Sequence, residues 1–201
     1  MNTAYDAFCA IIQDTRNSDV VYDYLDNIVK PPYDYSDLLR WQWAQSVSAL
    51  DKLIHDLIRI GMVQTFQGLR TPTAKYRSFT IDMDCLAQMN QMPLLAVTIF
   101  EAQIVHKLTF QSYQEPIKIS DGLSLIWDET NKWKRISVSM GLDENYLKIK
   151  LKNISIRRNQ IVHEGDYSNA LLQRQAITHT DTSDVVDFIF SLGTTIYNLV
   201  K

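Results

Sequence analysis

Apolar residues recur along this chain at steps of three and four, the repeat that lays them on one face of an α-helix. The clearest run lies between Ser36 and Val63, where Trp43, Val47, Leu50, Ile54 and Leu57 alternate steps of four and three. That spacing predicts a long helix with one core-facing or partner-facing stripe. Upstream, residues 4–29 read as one helix with a candidate interruption at Asn17-Ser18, and Pro31-Pro32 end it. Downstream, Thr65 to Ser78 holds Gly68 and Pro72 and reads as a loop, with extended character over Tyr76 to Ile81. Further helices are predicted over 83–90, 93–112, 120–128, 131–140, 144–163 and 182–201. The helix from Pro93 to Ser112 is apolar nearly all round, which predicts a place at the centre of a bundle. With 201 residues the chain is long enough for one well-cored domain and short for two. The expected fold is all-α: a single domain over 1–201, with a helical extension at 1–32 ahead of a helical core with insertions at 36–201.

The helix over 144–163 departs from its own pattern. Asp143-Glu144 suit its positive end, and Gly165 is placed to stop it. Leu147, Leu151, Ile154 and Ile161 form its apolar stripe, and Arg158 falls inside that stripe where a leucine is expected. An unpaired arginine is costly to bury, so the stripe must meet a carboxylate, a ligand phosphate or a water-filled cleft at that point. Asn159 and His163 stand four apart and share a second face, beside Ile149 and Ile156. Arginine binds phosphoryl oxygens by bidentate hydrogen bonds, and histidine exchanges a proton near neutral pH, so Arg158, Asn159 and His163 suggest phosphate chemistry. At about 100° per residue, Arg158 and His163 point roughly 140° apart on a straight helix. Either the helix loosens at its end, or a second copy of the motif contributes from another subunit.

Composition narrows the setting. A hydrophobic share of 46% with 21% charged residues is that of a soluble globular protein, and the N-terminus lacks the basic start and apolar core of a signal peptide. The apolar run from Pro93 to Phe100 is too short to cross a bilayer, so no membrane association is expected. Cys9 and Cys85 have no paired spacing, which suits a reducing compartment, and a cytoplasmic location follows. The net charge of −3 gives no global nucleic-acid footprint. Between Asn131 and Arg158, however, eight basic residues face two acidic ones. Lys134, Arg135, Lys148, Lys152 and Arg157 are the candidate nucleic-acid contacts of this basic face, which could track a phosphate backbone, with Trp133 and Tyr146 available for base stacking. The competing reading is a solvated lysine edge.

The other histidines have simpler readings. His55 lies one turn from Asp51 and Arg59 in a charge ladder, and His106 is expected as a hydrogen-bonded interior residue. His179 sits in a polar loop where Asp181 or Thr182 is expected to cap the last helix. His163, Glu164 and Asp166 lack a recognised ligand spacing, so no metal and no other cofactor is expected.

Arg158, then four residues, then His163, with Asn159 directly after the arginine, resembles the R-x(4–6)-H signature of the HEPN superfamily, helical domains that include many RNA-cleaving enzymes. The segments Ser48–Leu57, Arg157–Asp166 and Val185–Ile189 are similar to the RiboL-PSP branch, and the resemblance spans residues 40 to 201. It implies a HEPN-like helical bundle with additional helices, working as a homodimeric endoribonuclease without a metal. In that reading the RNA 2′-hydroxyl attacks its adjacent phosphate, with His163 moving the proton, Arg158 holding the phosphoryl charge and Asn159 orienting one or the other. Arg157, Glu164 and Asp166 are assigned to supporting the turn rather than reacting. A role as a toxin or phage-defence effector, held in check by an inhibitory protein partner, is also implied. The alternative is a non-catalytic HEPN module binding nucleotide, RNA or a protein. One departure stands out: some HEPN toxins carry a modifiable tyrosine two residues after the histidine, where this chain has Gly165 and, further on, Tyr167.

Overall fold

Helix α2, Asp37–Phe66, is the axis of the molecule. Its predicted stripe is buried throughout, and a second row of buried residues that includes Leu39, Leu53, Ile58 and Met62 gives it neighbours on several sides. The computed structural model describes residues 1–168 and 173–201. Helix α1, Asn2–Tyr24, packs along α2 through Ala4, Phe8 and Ile12, and α9, His179–Val200, packs beside both. The α1–α9 approach requires a glycine: a Cβ on Gly193 would come within 2.5 Å of the Phe8 ring. Helix α1 runs unbroken through Asn17-Ser18. It changes character instead at Leu25–Val29, a π-turn that Lys30 ends in the left-handed region.

After α2 come the short helix α3, Ala74–Arg77, then α4, Met83–Gln91, and α5, Ala96–Leu108, entered through a 3₁₀ turn at Pro93–Leu95. No strand forms over Tyr76–Ile81. The expected central helix is peripheral. Only Phe100, Ile104 and Leu108 of α5 are buried, Val105 is half exposed, and Leu94 ahead of it is fully exposed. The centre is taken by α2, whose length lets α1, α5, α6, α8 and α9 all pack on it. His106 is accordingly exposed rather than interior.

Helices α6, Pro116–Leu123, α7, Lys132–Met140, and α8, Glu144–Glu164, complete the bundle before α9. Between α8 and α9 a two-residue antiparallel ladder pairs β1, Tyr167–Ser168, with β2, Gln173–Arg174. The cap of α9 is Thr178, one turn earlier than expected. Its hydroxyl oxygen accepts from the Asp181 N–H at 3.1 Å, and the Asp181 carboxylate accepts from the Thr178 hydroxyl at 2.6 Å. Among the described residues no helix is long and apolar enough to cross a membrane.

Candidate active site

Helix α8 presents its functional residues because its ends are fixed. At the start, the Asp143 carboxylate accepts from the Tyr146 N–H at 2.9 Å. At the other end, Gly165 adopts φ 63°, and the N–H groups of Gly165 and Asp166 both reach the Gln160 carbonyl. Asp166 also has positive φ, 62°, and its side chain is fully buried. Its Oδ2 accepts from Arg40 Nε at 2.9 Å and from Arg157 Nη2 at 3.0 Å. The same two arginines donate to the carbonyls of Gln175 and Ala176, both at 2.8 Å. One buried carboxylate and two guanidiniums thus tie the end of α8 to α2 and to the segment after the hairpin. The pairing compensates charge that would otherwise be expensive to bury.

Arg157 is therefore turned away from its neighbour. Its guanidinium lies 5.4 Å from the centre of the Trp43 ring, on the opposite side of α8 from Arg158. Arg158, Asn159 and His163 line a single open cleft of about 480 Å³, walled by α8, by the loop that follows α5 and by the start of α6. The stripe meets a cleft at Arg158, one of the three outcomes expected. Arg158 has no carboxylate within ion-pair distance among the described residues, and its Nε is buried without a hydrogen-bond partner. Nη1 donates to the Asn159 Oδ1 at 3.2 Å. His163 is exposed at the cleft edge.

The expected divergence of Arg158 and His163 does not keep them apart. Helix α8 stays α-helical through Glu164, and a guanidinium on a long aliphatic stem reaches round the helix toward the Asn159–His163 face. One regular helix supplies all three residues to one cleft.

The opposite wall contains residues that periodicity did not single out. Ser155 at the base donates to the Gln114 carbonyl at 2.6 Å, and Gln114 in turn donates from Nε2 toward Asp51 at 3.4 Å. Glu115 and Lys118 stand at the rim, so two carboxylates and two cations line the cleft and it is not uniformly basic. Tyr113 beside it is buried, which pushes its phenol up to about 12, so it stays protonated near neutral pH and cannot act as a base. The only sequence signal for this wall was the Gln111–Lys118 segment being polar, which many loops share.

The basic face is thinner than expected. Lys134, Arg135 and Lys152 are exposed, and Lys152 lies about 20° from His163 on the α8 wheel. Lys148 is paired with Glu144. Lys132 is buried with its ammonium donating to the Glu129 carbonyl, and burial pulls its pKa below the usual lysine value. Trp133 is not available for stacking, because it is buried with Nε1 donating to the Pro116 carbonyl at 2.9 Å. Tyr146 is half exposed. Among the described residues no group of three His, Cys, Asp or Glu side chains is placed to hold a metal ion.

No curated protein and no solved structure matches the chain. A family model does, the one described as RiboL-PSP-HEPN, and it matches residues 12–201. The match takes in α2, the cleft and the Arg158–His163 helix, and the chain belongs to the RiboL-PSP-HEPN family.

Proposed function

We propose that the protein is an endoribonuclease that cleaves RNA without a metal. HEPN domains are often ribonucleases. The observation that carries the reading is the shared cleft, in which a guanidinium with no carboxylate partner among the described residues, a carboxamide and an exposed imidazole stand together. The RNA 2′-hydroxyl attacks the adjacent phosphorus, the P–O2′ bond forms and the P–O5′ bond breaks. A base takes the 2′-hydroxyl proton and an acid returns one to the leaving 5′-oxygen, both roles suited to imidazole. Arg158 stabilises charge on the non-bridging oxygens. The Asn159 carboxamide, whose oxygen accepts from Arg158, has its NH₂ group left to orient the imidazole or the phosphate. Lys152, Lys134 and Arg135 then guide the strand, and Lys148 and Arg157 contribute field from within their ion pairs.

Each chain brings one imidazole to its cleft, whereas the mechanism uses a base and an acid. A second copy of the motif, supplied by a twin subunit, completes the pair. Apolar residues at the cleft fit that partner: Phe110 is 91% exposed at the rim, and Ile156, 48% exposed, lies two turns before His163 on the same line of α8. A toxin or defence role under a protein inhibitor is the biological setting that we propose for such an activity in the cytoplasm.

The test is an RNA whose cut site has been mapped and then carries a single 2′-deoxy substitution there. The expected result is loss of that cut, a 2′,3′-cyclic phosphate and a 5′-hydroxyl on the unmodified RNA, no action on DNA, and full cleavage in excess EDTA. Cleavage of the substituted RNA at the same position, or loss in EDTA restored by magnesium, refutes the chemistry.

A further inference from the structure

The face of α8 opposite the Arg158 cleft borders a second cleft of about 580 Å³, within the range of small-molecule sites. Lys150, Asn153 and Arg157 line it. Their spacing of three and four puts them on successive turns, about 4.5 and about 6 Å apart along the helix axis, so three hydrogen-bond donors form a row. Tyr146, one turn before Lys150, extends the row with a half-exposed ring, and Trp43 of α2 lies against it. Across the cleft, α9 contributes Asp181 and Asp184 from its first two turns.

The two cationic donors are held in place rather than left as a solvated edge. Arg157 is fixed by Asp166, by the Ala176 carbonyl and by the Trp43 ring. Lys150 is packed over two rings, its ammonium 4.8 Å from the centre of Phe188 and 5.8 Å from that of Tyr146. Although Asp181 and Asp184 line the same cleft, neither is within ion-pair distance of Lys150 among the described residues. The cleft therefore offers a donor row with two cations on one wall, carboxylate acceptors on the other and an aromatic face at one end.

That combination matches a molecule with an anionic group, vicinal hydroxyls and a flat base. A phosphate suits Lys150 and Arg157. Sugar hydroxyls can donate to Asp184 and Asp181, and a base can stack on Tyr146. The carboxylates disfavour a bare inorganic anion, so phosphate alone is a poor ligand. We propose that this cleft is a ribonucleotide-binding site, separate from the Arg158–Asn159–His163 cleft and formed on the other side of the same helix. The ligand is either a free ribonucleotide or one nucleotide unit of an RNA strand.

The site is tested by calorimetric titration of the full chain with AMP, UMP, 2′-deoxy-AMP and inorganic phosphate, and of the His163→Ala variant with hexauridylate. Binding is read directly, so failure of the ribonuclease proposal leaves this result standing. Saturable binding of a ribonucleotide is expected, about tenfold weaker for the 2′-deoxy form and for Lys150→Met, which keeps the stem over Phe188 but removes the charge. Asn153→Ala, at an exposed position, serves if Lys150→Met does not fold, and it should weaken binding in the same direction. Arg158→Ala and His163→Ala should bind as the wild type does. Mononucleotide binding that depends on Lys150 identifies a free nucleotide as ligand, and Lys150-dependent binding of hexauridylate alone identifies a strand. The proposal is overturned by absence of saturable binding at millimolar concentration. It is equally overturned if binding is unchanged by both Lys150→Met and Asn153→Ala, or is abolished by His163→Ala or Arg158→Ala.

Discussion

Arg157 and Arg158 are neighbours in sequence with opposite surroundings, because one step of about 100° separates them on the helix. Arg157 borders the second cleft with a buried carboxylate holding it in place, whereas Arg158 faces its own cleft with no acid paired to it among the described residues. Substitution should separate the two roles. His163→Ala and Arg158→Ala are each expected to lower RNA cleavage by about 10²–10⁴. For the exposed His163 the stability should stay within about 0.5 kcal/mol of wild type. Asp166→Ala should instead cost about 3–5 kcal/mol, because it removes the buried carboxylate between Arg40 and Arg157 and leaves Arg40 only the exposed Asp37 at 3.6 Å. Urea midpoints measure the contrast: an unchanged midpoint for Asp166→Ala, or full cleavage by His163→Ala, refutes the corresponding assignment. Arg158 was visible in the sequence because it interrupts an apolar stripe. Arg40 carries the same signature, three residues before Trp43 on the α2 stripe, yet its partner could not be read, since the pair joins positions 126 residues apart.

At the scale of elements, periodicity located most helices because each buries one face, and α8 matches its expected span to within a residue at its C-terminal end. Its limits follow from the same physics. The pattern of a helix states how much of its surface is apolar, not which neighbours cover it. For α5 the apolar content indicated a central place, yet Leu94, Leu95, Val105 and Phe110 in or beside it remain exposed. The cap of α9 was misplaced because several polar residues precede that helix, and only the geometry selects Thr178. Thr178→Ala should therefore cost about 1 kcal/mol, and Ser at the same position should recover most of it. Thermal unfolding measures both, and a silent Thr178→Ala would mean that the first turn of α9 gains its stability from packing alone.

For the whole molecule, assembly decides whether the cleft has one imidazole or two. The exposed Phe110 and Ile156 near the motif predict a two-fold contact, and Ile156→Asp should disrupt it while leaving the bundle folded. Light scattering at micromolar concentration should give a dimer for the wild type and a monomer for the variant, with cleavage lost in the monomer. A wild-type monomer that still cuts RNA would sink the composite site. The wall of Gln111 to Lys118 and the second cleft were beyond reach of the sequence, since both are made where α8 meets elements distant along the chain. The way α8 ends has a bearing on time as well as on place. Helix termini ordinarily fray, opening their last amides to solvent at little free-energy cost. Here the final turn is closed twice over, by the Gly165 and Asp166 N–H groups on the Gln160 carbonyl and by the Asp166 carboxylate bound to Arg40 on α2. Amide deuterium exchange at Ile161 to Glu164 should consequently be as slow as in the middle of α8, so that the imidazole of His163 is carried on a post that does not open on its own.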